Sequence, residues 1–456
     1  VDVHRNLETP IAEMALPVTA ETRTGDTPAA RRARQRVRPP DILLSTPEQL
    51  ALMLSHDESP ALFASVRRIV LDELHALVIS KRGDLLALGL ARLRTHAPDV
   101  VVTGLSATVA RPSELRAYLV PQRQPQLHIE LADLVTLKTG AEPEIRILRS
   151  DERLPWSGHS ARYALADVYQ EIKQHRLTLI FVNTRSQAEL VFQELWHRND
   201  DNLPIALHHG SLDVAQRRKV EAAMARGDLR AVVCTSTLDL GIDWGDVDLV
   251  IQIGAPKGCA RLVQRIGRAN HRLDEPSQAL LAPSNRFEVL ECRSAQEAVL
   301  EGALDGADPR VGGLDCLAQH IMGCACGEPF DADELYAEVI STFPYADLPR
   351  NQFDRCLDLV ATGGYALRAY DRYRRIVQDP HDNRWRVRNA TVAQQHRMNV
   401  GAIIESEMLD VRLARRTGVR ARPGVPKSQQ PTPMIAGQRL YRIESSAGFF
   451  KYRPRT

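Results

Sequence analysis

The feature that most narrows the fold is a rhythm. From about residue 40, short apolar runs alternate with longer amphipathic stretches: Ile42 to Leu44, Ile69 to Leu71, Val100 to Val102, Leu179 to Val182, Ile205 to Leu207, Ala231 to Cys234 and Leu249 to Ile253. Runs this short and this apolar suit strands buried on both faces. The stretches between them suit covering helices, so the rhythm predicts βαβ units around parallel sheets. Polar or small residues follow nearly every run at once: Asp72-Glu73, Ser106-Ala107-Thr108, Asn183-Thr184-Arg185, His208-His209-Gly210 and Thr235-Ser236-Thr237. In such sheets ligands bind beyond the carboxyl ends of the strands, so these clusters stand where chemistry belongs.

At 456 residues the chain is too long for one core and should divide into roughly three domains. The expected parts are an α/β domain over 1–121, a linker with strands over 122–158, a second α/β domain over 159–304, a helix-and-hairpin module over 305–392, and a last segment, 393–456. In the module, Phe353, Cys356, Leu357 and Val360 mark one face of a helix that stops at Gly363-Gly364. Two runs, Arg375 to Gln378 and Arg384 to Arg388, then flank the turn residues Asp379 to Asn383. Helix, helix, then hairpin is the order of a winged helix; an α+β cap with no nucleic-acid role fits the same order. From Arg412 onward Glu444 is the only acid, and the stretch reads as a disordered basic tail.

A net charge of +2 means that any nucleic-acid surface must come from local clusters of Arg and Lys. Seven cysteines between Cys234 and Cys356 sit mostly in apolar stretches and read as reduced core thiols. His320, Cys324 and Cys326 lie close together but lack the paired spacing of a zinc site. No apolar run approaches the roughly 18 residues of a membrane helix and no secretory leader opens the chain, so a cytoplasmic location is expected. Val1 begins inside a helical pattern, which implies that the natural start lies upstream.

Asp72-Glu73-Leu74-His75 follows an apolar strand. There Asp72 can hold Mg²⁺ through water while Glu73 orients a water for attack on a γ-phosphate; helix capping would explain an isolated acidic pair equally well. Ser106 and Thr108, at the end of the next strand, supply hydroxyls that can transmit the state of that pair. Read as a helix, Arg261, Arg265, Arg268 and Arg272 share one stripe, with Leu262, Val263, Ile266 and Ala269 behind them. Like charges so stacked call for a facing anion, and guanidinium forks suit phosphate. A solvated basic face is the alternative, and Gly267 weakens a purely structural helix. Thr235, Ser236 and Thr237 can grip strand phosphates, whereas Gly241 and Asp243 could sense the nucleotide. Thr24-Gly25-Asp26 and Thr46-Pro47-Glu48 flank Arg31, Arg34 and Arg38, either as a phosphate track or beside a solvent-facing helix.

These motifs resemble those of superfamily 2 DExH-box helicases: Asp72 to His75 as the second, Ser106 to Thr108 as the third, Thr235 to Asp243 as the fifth and Gln264 to Arg272 as the sixth. More closely, the chain is similar to the large helicase-related group from Val1 to about Arg416. Arg23 to Thr27, Arg36 to Asp41 and Met398 to Gly401 resemble its ligase-associated branch. The resemblance implies two RecA-like parallel-sheet domains, the first truncated at its N-terminus, then a winged helix and part of a C-terminal core domain. It implies ATP and Mg²⁺ as cofactors and 3′ to 5′ movement on single-stranded DNA, with forked or hybrid nucleic acid as further substrates. Its ligase-associated branch implies DNA repair with an ATP-dependent ligase and a repair nuclease as partners.

The candidate catalytic set is then Asp72, Glu73, His75, Gln264, Arg265, Arg268 and Arg272. Asp72, Glu73, Gly241, Asp243, Gln264 and Arg268 would meet the nucleotide. Thr24, Gly25, Asp26, Thr46, Pro47, Glu48, Asn183, Thr184, Arg185, His209, Gly210, Thr235, Ser236 and Thr237 would meet nucleic acid. Two departures qualify this. No Gly-Lys dipeptide occurs, so the phosphate-cradling loop is missing and the chain by itself is not expected to hydrolyse ATP. Asn270-His271-Arg272 also stands where many relatives place Gly-Arg. Either this is an incomplete ATP-dependent helicase, or a loop-less pseudo-helicase that binds DNA or a partner without catalysis.

Overall fold

The computed structural model describes the chain apart from residues 1, 107–108, 124–127, 137–140, 159, 240–246, 270–275, 306–309, 365, 402–407, 412–440 and 445–456. Thr108, Gly241, Asp243 and Arg272 therefore lie outside the described residues.

In the first domain β1 (Ala20–Arg23) pairs in parallel with β2 (Ile42–Ser45), and β3 (Arg68–Leu71) with β4 (Val101–Gly104). The rhythm predicted one covered sheet here. Instead, no strand among the described residues joins the two pairs, and Val70 on β3 is 61 % exposed. The second domain is a single sheet of β5 (Glu144–Ile147), β6 (Thr178–Phe181), β7 (Ile205–His208), β8 (Ala231–Cys234), β9 (Leu249–Ile253) and β10 (Gln278–Ala282). Its order is β5-β10-β9-β6-β8-β7 and every pair is parallel. Every residue of β6, β8 and β9 is buried, which is why these strands read as unbroken apolar runs. β5 lies inside the stretch read as a linker, yet it hydrogen-bonds to β10, so the second sheet begins before the expected boundary at 159.

The module beyond has three helices, Leu314–Gly327, Ala332–Ile340 and Arg350–Thr362, followed by an antiparallel hairpin of β11 (Ile376–Gln378) and β12 (Trp385–Val387). Phe353, Cys356, Leu357 and Val360 are all buried, and Gly363 ends their helix in the left-handed region, with φ of 80°. The seven cysteines are all free. No described helix is long and apolar enough to cross a membrane. In the separate unit 402–456, β13 (Met408–Val411) pairs antiparallel with β14 (Tyr441–Glu444). The basic tail thus contains a strand, consistent with the apolar-polar alternation of Tyr441 to Glu444.

The helix Lys81–His96 joins the first domain to the winged-helix module. Gly83 through Leu93 are buried without a break, because one side packs on the helix Pro47–Leu54 and another on Leu314–Gly327. Its charges are paired accordingly: Arg92 with Glu328 at 2.9 Å and Glu338 at 3.1 Å, and Asp84 with Arg310 at 2.9 Å.

Close to this seam, burial first and then Arg397, Arg36 and Arg23 push His56 down from 6.5 to about 4. A depressed histidine favours the folded state above its unfolded pKa, and that contribution is lost as pH falls from 6.5 through about 4. Thermal melts should therefore show the melting temperature dropping across this window, and His56→Gln should flatten part of the drop. An unchanged slope in the variant would remove His56 as the cause.

Candidate functional site

The first half of the site is the carboxyl end of β3. Asp72 is exposed, and its Oδ1 accepts the Glu73 amide at 2.9 Å. Glu73 stands in the left-handed region, with φ 49° and ψ 42°, a conformation that costs a non-glycine residue energy and gathers at functional sites. Cross-strand bonds hold it there: the Leu74 amide donates to Leu105 at 3.0 Å and the Leu105 amide to Leu71 at 2.8 Å. Gly104 packs closely there, since a Cβ would come within 2.6 Å of Leu74 Cδ2 and make that side chain shift. His75 Nδ1 lies 3.2 Å from Ser106 Oγ, and its Nε2 lies 3.5 Å from Glu73 Oε2. One imidazole thus stands between Glu73 and the hydroxyl after β4, hydrogen-bonded to the hydroxyl and near the carboxylate.

The second half comes from the arginine segment, which divides. The helix Cys259–Ile266 ends at Gly267, so Arg268 leaves the helix and a single four-arginine stripe does not form. Arg265 is buried: its Nε donates to Asp239 Oδ1 at 2.8 Å, its Nη1 to Gln252, and its guanidinium lies 4.6 Å over the Phe181 ring. Asp239 matches its charge inside the second domain, so the structure sets Arg265 as a buried partner of Asp239 and not on an open arginine stripe. Arg261 remains exposed and Gln264 half-buried.

Arg268 Nη2 donates to the Asp239 carbonyl at 3.0 Å and stands 3.9 Å from Glu73 Oε1. Its Nε is buried and has no hydrogen-bond partner among the described residues, a donor that could meet an acceptor. An arginine of the second domain thus meets the carboxylate of the first. Asp239 was missed from the sequence, although it lies two residues beyond Thr237 in the same motif and both arginines depend on it.

At the carboxyl edge of the second sheet, Thr184 caps the helix Arg185–His197 and Asn183 Nδ2 donates to Ala255 at 2.9 Å. A Cβ on Gly210 would have Arg185 Nη2 and Thr237 Cγ2 as neighbours, both at 3.7 Å, so these three residues share one place. Ser236 is exposed, whereas Thr235 and His209 are buried. Burial lowers the pKa of His208 against the opposing pull of Glu221. Glu221, an acceptor, lies 3.1 Å from His208 Nε2, so that nitrogen carries the proton and Nδ1 accepts the Thr237 hydroxyl at 2.9 Å. The single proton of Thr237 therefore points inward to His208, which sequence reading did not foresee.

In the first domain Thr46 caps the helix Pro47–Leu54 and Glu48 binds Arg82 through both oxygens. Gly25 has open space around it, and the Thr24 amide donates to Thr27 at 2.9 Å. Arg31 and Arg34 both pair with Glu21, which offsets the basic track expected there.

Residues 1–115 match the model of the DEAD/DEAH box helicase, 162–272 that of the helicase conserved C-terminal domain, and 297–421 that of the large helicase-related protein winged helix domain. The chain is 32 % identical to the ATP-dependent helicase Lhr-Core of Methanothermobacter thermautotrophicus, over 98 % of this chain and 53 % of that protein. Among solved structures, the Mycobacterium smegmatis helicase Lhr bound to ssDNA and AMP-PNP is similar at a TM-score of 0.75 and 33 % identity, over 88 % of this chain and 53 % of that one. Helicase MrfA bound to DNA, at 22 % identity and a TM-score of 0.63 over 86 % of this chain and 50 % of its own, shares the fold. The chain spans about half the length of the curated relatives it matches.

Proposed function

Since the chain belongs to the large helicase-related family of helicases, we propose that it is the motor part of an ATP-dependent DNA helicase whose hydrolytic site lies where its first two domains meet. The observation that carries this reading is Arg268, of the second domain, 3.9 Å from Glu73 at the end of a strand of the first. Bound ATP supplies the phosphoryl group whose transfer to water drives movement, and Mg²⁺ supplies the cation that neutralises its charge.

The residues present fit the hydrolytic half of such a site. Asp72, exposed at a strand end with one oxygen on the Glu73 amide, is placed to hold the cation through water. Glu73 orients the attacking water. Arg268 meets the charge that develops in transfer, and its Nε, without a partner among the described residues, is a second donor toward that charge. His75 and Ser106 relay the state of the pair to the loop after β4. Donors for the β- and γ-phosphates are another matter, because the sequence contains no Gly-Lys dipeptide. These 456 residues are therefore proposed to hydrolyse no ATP by themselves.

The nucleic-acid track runs over Asn183 to Arg185, Gly210 and Ser236, with single-stranded DNA as its ligand and Thr237, bonded to His208, beside it. This rests on the shared edge of these residues and on the ssDNA held by the M. smegmatis relative. Movement 3′ to 5′ is what the family resemblance implies, and a role in repair beside a ligase and a nuclease rests only on the likeness of Arg23 to Thr27, Arg36 to Asp41 and Met398 to Gly401 to one branch of the family. With about four phosphates neutralised, log Kd for a labelled oligonucleotide should rise against log salt with a slope near 3, since each contact on a single strand contributes about 0.7. Arg185→Ala should weaken binding and lower that slope by about one contact. No binding at low salt, or an unchanged slope in the variant, would remove this track.

A further inference from the structure

Away from the strand-end clusters, the winged-helix module buries three metal-ligating side chains around one point. His320 and Cys324 stand one turn apart on the helix Leu314–Gly327, and Glu338 projects from the helix Ala332–Ile340. His320 Nε2 lies 3.5 Å from Cys324 Sγ and 3.5 Å from Glu338 Oε1, and the three donor atoms all lie within 4.8 Å of one another. Tetrahedral bonds of about 2.0 to 2.3 Å to one ion would set neighbouring ligand atoms roughly 3.3 to 3.6 Å apart. The two histidine separations fall in that range.

The carboxylate is held asymmetrically. Glu338 Oε2 accepts from Arg92 Nη1 at 3.1 Å and from Thr95 Oγ1 at 3.0 Å, both on the helix Lys81–His96. Oε1 is buried, meets no hydrogen-bond geometry among the described residues and has the His320 ring beside it at 3.5 Å. A buried carboxylate oxygen in that state is costly unless something else meets it. One oxygen fixed by outer donors while the other aims at an imidazole and a thiol is how metal-ligating carboxylates are oriented. A small cavity lined in part by Gln319, His320, Cys324 and His396 adjoins the histidine and the thiol.

We propose that His320, Cys324 and Glu338 bind one soft divalent cation, Zn²⁺ before others, which ties two helices of the winged-helix module together beneath Arg92. Binding takes the neutral imidazole and the thiolate, so the protons they carry pass to solvent and no redox step is involved. The competing state is a cation-free ion pair between protonated His320 and Glu338.

Titrating the purified 456-residue chain with Co²⁺ separates the two. The proposal expects thiolate-to-cobalt charge-transfer absorption that saturates at one equivalent and is displaced by Zn²⁺. Glu338→Gln should weaken Co²⁺ binding by about tenfold or more, Cys324→Ala should abolish the band, and Cys326→Ala should leave it unchanged. The group His56, Asp57 and Glu58 has no sulfur and cannot give this signal. Absence of the band in the unaltered chain, which depends on no variant folding, overturns the proposal. So does a band that persists in Cys324→Ala.

Discussion

When a glycine-lysine phosphate loop is supplied ahead of Val1, Arg268→Ala is expected to lower DNA-stimulated ATP turnover by roughly 10³-fold or more while changing the ATP Kd far less. The guanidinium is delivered from the second domain, anchored by the Asp239 carbonyl at 3.0 Å and set 3.9 Å from Glu73. An interaction with charge that develops only during transfer is lost from the rate and not from ground-state binding. Glu73→Gln should behave similarly, because it leaves Asp72 to hold the cation while removing the carboxylate that orients water. Hydrolysis measured with and without single-stranded DNA, beside nucleotide affinity, reads both effects. Near-normal turnover in Arg268→Ala would take that residue out of the chemistry and leave Arg272 as the arginine to test, since Arg265 is buried against Asp239.

The second large effect is on stability. Arg265→Ala would leave the Asp239 carboxylate, only 6 % exposed, without its buried partner, and breaking such a pair costs about 3 to 5 kcal/mol. It also removes the guanidinium from the Phe181 ring and from Gln252 on β9. Denaturant unfolding of the variant should show a lower midpoint for the second domain. Arg265→Met with Asp239→Leu should recover much of the loss, because no unpaired charge then remains. A single-variant loss below about 1 kcal/mol would mean that Arg265 is no clamp, a value typical of exposed pairs.

The sequence pattern located the strands whose physics is simplest. β6, β8 and β9 are buried on both faces and so carry unbroken apolar runs. The stretch holding β5 read as strand-like but not as part of the second sheet, because Glu144–Ile147 is an edge strand with an exposed face, and its short Glu-Ile-Arg-Ile alternation does not reveal which sheet it joins. Helical spacing brought out Arg265 and Arg268 together but could not tell them apart. Their difference depends on Gly267 ending the helix and on Asp239 arriving from a segment 26 residues earlier than Arg265. The bond from Thr237 to His208 was equally hidden, since it crosses between β8 and β7. His320 and Cys324 lacked a zinc spacing because the third donor, Glu338, lies on the next helix.

Hydrolysis is proposed to need Glu73 and Arg268 from two domains together with a phosphate loop whose Gly-Lys dipeptide these 456 residues do not contain. DNA-stimulated ATP hydrolysis by the purified 456-residue chain, measured before and after such a loop is supplied, tests it most directly. The expected result is no turnover above background before, clear turnover after, and its loss on Glu73→Gln. Robust turnover by the unaltered chain, abolished by Glu73→Gln, would contradict the account by showing that other residues already hold the phosphates.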